Sequence, residues 1–97
     1  MQEALFVEFV GTFVFISVIF RYASKEWGAL AIATALAAVI LFAGYASGGH
    51  FNPAVSLAMY VANNIPLTKL VGYIVVQLLG GYCAFMLNAK QLLPFAA

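Results

Sequence analysis

The chain has 97 residues, of which 66% are hydrophobic and only 7% are charged, with a formal net charge of +1. About a quarter of the residues in an average soluble domain are charged. This composition therefore excludes a soluble protein with a polar surface and predicts an integral, multi-pass membrane protein with the lipid bilayer as a partner. The small net charge removes the electrostatic argument for binding nucleic acid. The length predicts a single domain, residues 1–97.

A helix of about 20 residues crosses the hydrocarbon core of a bilayer. Three apolar stretches reach that length, at about residues 4–22, 27–46 and 66–88. The first stretch lacks the basic start of a signal peptide and contains Glu8, so it is interpreted as a retained span. The short link that follows predicts a tight antiparallel pair of helices, and residues 90–97 are expected to form a short mobile tail.

A polar, glycine-rich segment, SGGHFNPAV at residues 47–55, lies between the second and third stretches. Polar backbone occurs at membrane depth only where it is buried in protein or lines a cavity. Asn52 is a favoured N-cap and Pro53 a favoured first helical residue, so a helix is predicted from there to about residue 62. Roughly ten residues make about 15 Å of helix, half of the hydrocarbon thickness. The predicted fold class is an all-α membrane protein with three transmembrane helices and one re-entrant half-helix. The half-helix and the loop that leads into it together occupy residues 47–62.

Asn52 is the residue best suited to contact a solute in such a cavity. Its side-chain oxygen is expected to cap the helix, which leaves the amide group to donate hydrogen bonds into the cavity. The start of a helix also has about half a positive charge. Carbonyl groups upstream would add acceptors, and this combination favours water or small polyols over cations. The predicted pore-lining residues in this segment are Gly48, Gly49, His50, Asn52, Pro53 and Ala54.

Three further polar side chains are candidates for holding the loop. Glu8 is expected to face inward and to accept hydrogen bonds from the backbone N–H groups of residues 48–50, the alternative being a position near the helix end that reaches the headgroups. Gln77 is predicted to be a second brace. His50 has no second histidine or acidic cluster beside it, so a loop-positioning role is favoured over a metal ligand or a proton relay with Glu8. No metal, cofactor, catalytic residue or enzymatic activity is predicted, because no nucleophile or metal set surrounds these residues.

Three motifs resemble the aquaporin and aquaglyceroporin family: SGGHFNPAV at 47–55, EFVGTF at 8–13 and YIVVQLLGG at 73–81. They have the order and spacing of the N-terminal half of that family. The resemblance implies half of the aquaporin fold and a channel for passive passage of water or small neutral solutes such as glycerol. It also implies that the pore needs a second, inverted half, and that the protein forms oligomers.

The chain departs from the family pattern in two ways. It has one Asn-Pro-Ala motif, whereas the family has two. In the family an arginine of the selectivity filter follows the second motif, and the matching place after the motif of this chain is occupied by Val55. Counting back from Asn52, Ile32 matches the filter position of the second helix, and an aliphatic residue there leaves the choice of solute open. One half-shell cannot enclose a pore and would expose polar groups to lipid. The first hypothesis is a channel closed by an inverted partner half, which comes from the same chain or from a full-length relative. The second is a non-conducting interaction protein or a truncated remnant that pairs with a full-length channel.

Overall fold

The computed structural model describes the backbone of residues 1–96 and the side chains of residues 1–89. Within these residues the chain forms four helices: α1 (Gln2–Tyr22), α2 (Gly28–Ser47), α3 (Pro53–Val61) and α4 (Leu67–Ala96). Three segments are long and apolar enough to cross a membrane, namely α1, α2 and Leu67–Ala89 of α4. The predicted fold class, three long apolar helices and one short helix, is confirmed. The predicted tail lies outside the residues whose side chains are described.

Two helix ends extend beyond the predicted spans. α1 begins at Gln2 and α4 continues to Ala96, whereas the predicted spans begin at residue 4 and end at residue 88. A span estimated from apolar residues measures the hydrocarbon thickness, but a helix continues for as long as its backbone hydrogen bonds do. α3 has nine residues, which corresponds to about 14 Å and is therefore half of a membrane span.

α1 is the central helix, because it packs against both α2 and α4, while α3 packs against α4. Glycine allows the closest of these approaches. A Cβ atom at Gly80 would lie 2.7 Å from the carbonyl oxygen of Phe9, so the backbones of α4 and α1 are in direct contact there. Two turns earlier in α4, a Cβ atom at Gly72 would lie 2.9 Å from Leu5. Small residues at helix interfaces are the usual means by which helices approach closely in lipid.

The interior of this bundle is unusually polar. Glu8, Ser56 and Gln77 are among its most buried side chains, while large apolar residues such as Leu41 and Phe42 are about four-fifths exposed, at 78% and 81%. A soluble protein has the opposite arrangement. Lipid accepts apolar side chains but cannot hydrogen-bond to polar ones, so this distribution fits a protein whose outer surface faces lipid.

Candidate functional site

The loop segment, residues 48–52, joins α2 to α3 through backbone that glycine makes possible. Gly48 and Gly49 have φ values of +93° and +68°, and side chains other than glycine rarely adopt such conformations. The N–H of Gly48 donates to the carbonyl of Gly44 at 2.7 Å and closes the end of α2. The backbone of Phe51 is also in the left-handed region, with φ of +53°. A bulky residue in this region stores strain and needs surrounding contacts to hold it there.

The carboxylate of Glu8 supplies those contacts from the second turn of α1, where it is fully buried. Its Oε2 accepts from the backbone N–H of His50 at 2.9 Å and from the hydroxyl of Ser47 at 2.7 Å. Its Oε1 accepts from the backbone N–H of Phe51 at 2.7 Å and from the side-chain amide of Gln77 at 2.9 Å. Both oxygens therefore act as acceptors for two donors each, and two of those donors are backbone groups of the loop segment.

The prediction for Glu8 named the N–H groups of residues 48–50 as its donors, and the structure differs in part. The N–H of Gly49 donates to the hydroxyl of Ser47 at 3.1 Å, and that of Gly48 is used by α2. Phe51 donates to Glu8 instead. The shift of one residue follows from the left-handed turns at both glycines, which direct successive N–H groups to different sides of the chain.

Gln77 and Ser56 extend this network to His50. The amide nitrogen of Gln77 donates to the hydroxyl of Ser56 at 2.9 Å, and the same hydroxyl lies 2.8 Å from Nδ1 of His50. The Ser56 hydroxyl can either donate to Nδ1 or accept from it, and the tautomer of the imidazole determines which. His50 thus takes part in holding the start of α3. Among the described residues, no group of three or more His, Cys, Asp or Glu could hold a metal ion.

Three residues of this network were not found from the sequence: Ser47, Ser56 and Tyr73. The hydroxyl of Tyr73 donates to the carbonyl of Ser47 at 2.6 Å, and its ring meets His50 edge-on at 5.0 Å between centroids. One signal was available, since Tyr73 and Gln77 are four residues apart and share a face of α4. The two serines carry no such signal, because short hydroxyl side chains are common in membrane helices.

Phe51 is fixed by packing as well as by its N–H group. Its ring is 2% exposed and lies against Gly11 of α1, where a Cβ atom would be 2.6 Å from Cδ1 of the ring. Gly11 therefore leaves the space into which Phe51 inserts. Since Phe51 directly precedes Asn52, this contact also determines where Asn52 lies.

Gly11→Ala is expected to displace the loop segment without removing a hydrogen-bonding group, because the new methyl group would overlap the Phe51 ring. Overpacking of this kind costs about 1–3 kcal/mol, which outweighs the gain of about 1 kcal/mol in helix propensity from glycine to alanine. Limited proteolysis at residues 48–52 in detergent should become faster. Unchanged proteolysis would show that the ring has room to move.

Asn52 begins α3 in the way its sequence predicts for an N-cap. Its Oδ1 accepts from the N–H of Ala54 at 2.8 Å, and Pro53 occupies the first helical position. The Asn52 side chain is exposed, Pro53 is half-buried and Ala54 is exposed. The cap uses the amide oxygen, so the amide NH₂ group remains available for other partners.

Two cavities meet at Asn52. The first has a volume of about 290 Å³ and lies between α1, α2 and the loop segment; beside Asn52 its wall includes Phe15, Leu36, Ile40, His50 and Val55. The second has a volume of about 440 Å³ and lies on the α4 side, where Thr12, Pro53, Gln77 and Tyr82 contribute to its wall. Ile32 is half-buried on the same face of α2 as Leu36 and Ile40 but is not among the residues that line either cavity.

Three apolar membrane-spanning helices and a half-length helix, joined by a buried polar network, define an α-helical integral membrane protein that crosses the membrane several times. Residues 1–92 match the family model of the major intrinsic protein family. The chain is 41% identical to Aquaporin Z of Brucella melitensis, over 87% of this chain and 42% of that protein. It is 40% identical to Aquaporin-5 of Sus scrofa over 80% of this chain and 32% of that protein.

The chain is 35% identical to the Lens fiber major intrinsic protein of Gallus gallus, over 80% of this chain and 33% of that protein. No solved structure matches the chain. The chain belongs to the major intrinsic protein family, in agreement with the predicted resemblance. It spans less than half of the length of these curated relatives.

Proposed function

We propose that residues 1–97 form one half of a channel for passive passage of water or small neutral solutes such as glycerol, and that an inverted second half closes the pore. In this proposal the loop segment and the start of α3 line the path, with Asn52 as the donor to the solute. Glu8 and Gln77 hold the loop segment in place. The membership of the family and the names of its aquaporin relatives support a channel in general.

The observation that carries the proposal is the combination of groups around Asn52. Its oxygen is occupied by the cap, its side chain is exposed to a cavity of about 290 Å³, and the rest of that wall is largely apolar. A neutral hydroxyl group can accept from the amide NH₂, while apolar walls offer nothing to replace the hydration shell of an ion. The positive end of α3 further disfavours cations.

The need for a second half is inferred from the cavity on the α4 side. Its wall combines exposed apolar residues, Leu78 and Tyr82, with Pro53 at the start of α3. The exposed Asn52 side chain also belongs to this wall. A polar group open to lipid is unfavourable, whereas a protein surface seated there would cover it. The second half is either an inverted copy of this chain or a longer relative.

Asn52→Asp is expected to slow transport strongly while keeping the fold. The aspartate oxygen can still cap Ala54, but the two N–H donors are replaced by a negative charge. The chain is reconstituted in liposomes, and osmotic shrinkage is measured by stopped-flow light scattering for water and for glycerol. The protein-dependent rate should fall by about tenfold or more in the variant, since lost hydrogen bonds to the solute cost on the order of 1.5 kcal/mol.

The matched control is Asn63→Asp, which makes the same chemical change in the exposed link between α3 and α4. Its transport rate should equal that of the original chain. Shrinkage no faster than in empty liposomes would show that copies of the chain do not close a pore, and co-reconstitution with a longer relative would then test whether this half inhibits or completes that protein. A tag at the C-terminus, found on both sides of the membrane, supports the inverted homodimer; a tag found on one side only excludes it.

A further inference from the structure

A buried asparagine holds an arginine at one end of the bundle. Nε of Arg21, in the last turn of α1, donates to Oδ1 of Asn88 at 2.9 Å. Asn88 is 1% exposed and its own amide donates to the carbonyl of Ala84 at 2.7 Å, so its orientation is fixed by α4. The bond uses Nε and leaves both Nη nitrogens of the guanidinium for another partner. None of these residues belongs to the polar network around Glu8.

The position of Arg21 is that of a lipid headgroup contact. α1 has 21 residues, a length of about 31 Å, which equals the hydrocarbon thickness, so its last turn lies at the membrane boundary. At this end of α1, the rings of Tyr22 and Trp27 contact each other at a tilt of 42°, with their centroids 5.1 Å apart. Aromatic pairs of this kind are typical of the headgroup level.

The charge at the C-terminal end of α1 determines which type of lipid headgroup is favoured there. Among residues 21–27, the exposed side chains include two cations, Arg21 and Lys25, and one acidic residue, Glu26. The excess of positive charge favours an anionic lipid over a zwitterionic one. A guanidinium whose Nε is already held presents its remaining N–H groups in a fixed direction, and phosphate oxygens are the acceptors that this geometry suits best.

We propose that Arg21, held in position by Asn88, binds the phosphate of an anionic phospholipid at the end of α1. Arg21 contacts the phosphate, Lys25 contributes charge, and Asn88 is a positioning residue. The proposal does not depend on transport, because neither cavity and neither oxygen of Glu8 takes part in it.

Trp27 is the only tryptophan of the chain and lies beside the proposed site, so its fluorescence reports which lipids bind there. The full chain is reconstituted in vesicles of phosphatidylcholine with increasing amounts of phosphatidylglycerol brominated near the headgroup end of its acyl chains. The same series is repeated with brominated phosphatidylcholine. Quenching of Trp27 should be stronger with the anionic lipid by about two- to fivefold in relative association constant, as expected for an interfacial charge worth about 1 kcal/mol.

Arg21→Gln should reduce this preference to that of bulk lipid. The control Lys69→Gln removes the same charge from the start of α4, where Lys69 lies 5.6 Å above the ring of Tyr73, and should keep the preference. Asn88→Leu retains the charge of Arg21 and loses its orientation, so the preference should weaken but persist. Far-ultraviolet circular dichroism confirms the fold of each variant.

Two results would overturn the proposal. The first is an Arg21→Gln variant with the same lipid preference as the original chain. The second concerns the source of the phosphate: if inorganic phosphate, added to the chain in neutral detergent micelles, changes Trp27 fluorescence in an Arg21-dependent way and removes the lipid preference, the site binds a soluble anion instead of a lipid.

Discussion

Glu8→Gln is expected to lower the thermal unfolding midpoint of the chain by on the order of 10 °C. Glutamine has the same shape as glutamate but only one acceptor oxygen, whereas Glu8 accepts from two donors at each oxygen. The NH₂ group of the new glutamine must face either the donors of His50 and Ser47 or the donors of Phe51 and Gln77. The Ser47 hydroxyl can rotate to accept, so at least one buried N–H group loses its acceptor, at about 1–3 kcal/mol for each such group.

Glu8→Ala should be more damaging, because all four donors then lose their acceptor and a cavity remains. Glu3 provides the matched control, since it is an exposed glutamate in the first turn of the same helix. Glu3→Gln and Glu3→Ala should leave the midpoint within about 1–2 °C of the original. The measurement is loss of helical circular dichroism on heating in a mild detergent. Equal midpoints for the Glu8 and Glu3 variants would contradict the role assigned to the network.

The second large effect is expected at one of two adjacent glycines of α4. A Cβ atom at Gly80 would lie 2.7 Å from a backbone oxygen of α1 and 3.3 Å from Thr12, whereas one at Gly81 would meet nothing within 4 Å. Gly80→Ala therefore forces the two helices apart, and neither backbone can rotate away as a side chain could. Gly81→Ala should be neutral or stabilising by up to about 1 kcal/mol, since alanine favours helix.

The difference between the two variants should be about 1–3 kcal/mol, the usual cost of overpacking, because the gain in helix propensity is the same in both and cancels. Unfolding by sodium dodecyl sulfate in mixed micelles, followed by circular dichroism, measures it directly. Because both substitutions are chemically identical and one residue apart, the comparison removes changes in helix propensity, expression and micelle binding. Similar stabilities for the two variants would show that α1 and α4 are less closely packed than described.

The parts of this fold that the sequence predicts are those set by composition and by local chemistry. Three apolar stretches of membrane length predict the three long helices, and Asn52 followed by Pro53 predicts the start of the short one; the structure has all four. The membership of the major intrinsic protein family is also confirmed. These features depend on residues that are adjacent in sequence or on periods within one helix, so no knowledge of the tertiary packing is needed.

The details of the candidate site could not be predicted in the same way. An ionisable residue inside a span indicates a buried partner, which is why Glu8 was singled out. The choice among its donors depends on the φ values of Gly48 and Gly49, and the hydrogen-bond partners of Ser47, Ser56 and Tyr73 are up to 39 residues away in the sequence. Ile32 shows the same limit: it shares a face of α2 with Leu36 and Ile40, but counting residues does not show which residues the loop segment approaches, and Leu36 and Ile40 line the cavity.

The order of the network along the chain has a consequence for biosynthesis. Glu8, Ser47, His50 and Phe51 precede residue 52, so a nascent chain that has inserted α1 and α2 already contains three of the four donors to the carboxylate. The fourth, Gln77, and the Tyr73 hydroxyl arrive only with α4. The loop segment is therefore synthesised before the helix that completes its support, and its polar network is complete only once α4 has packed against α1.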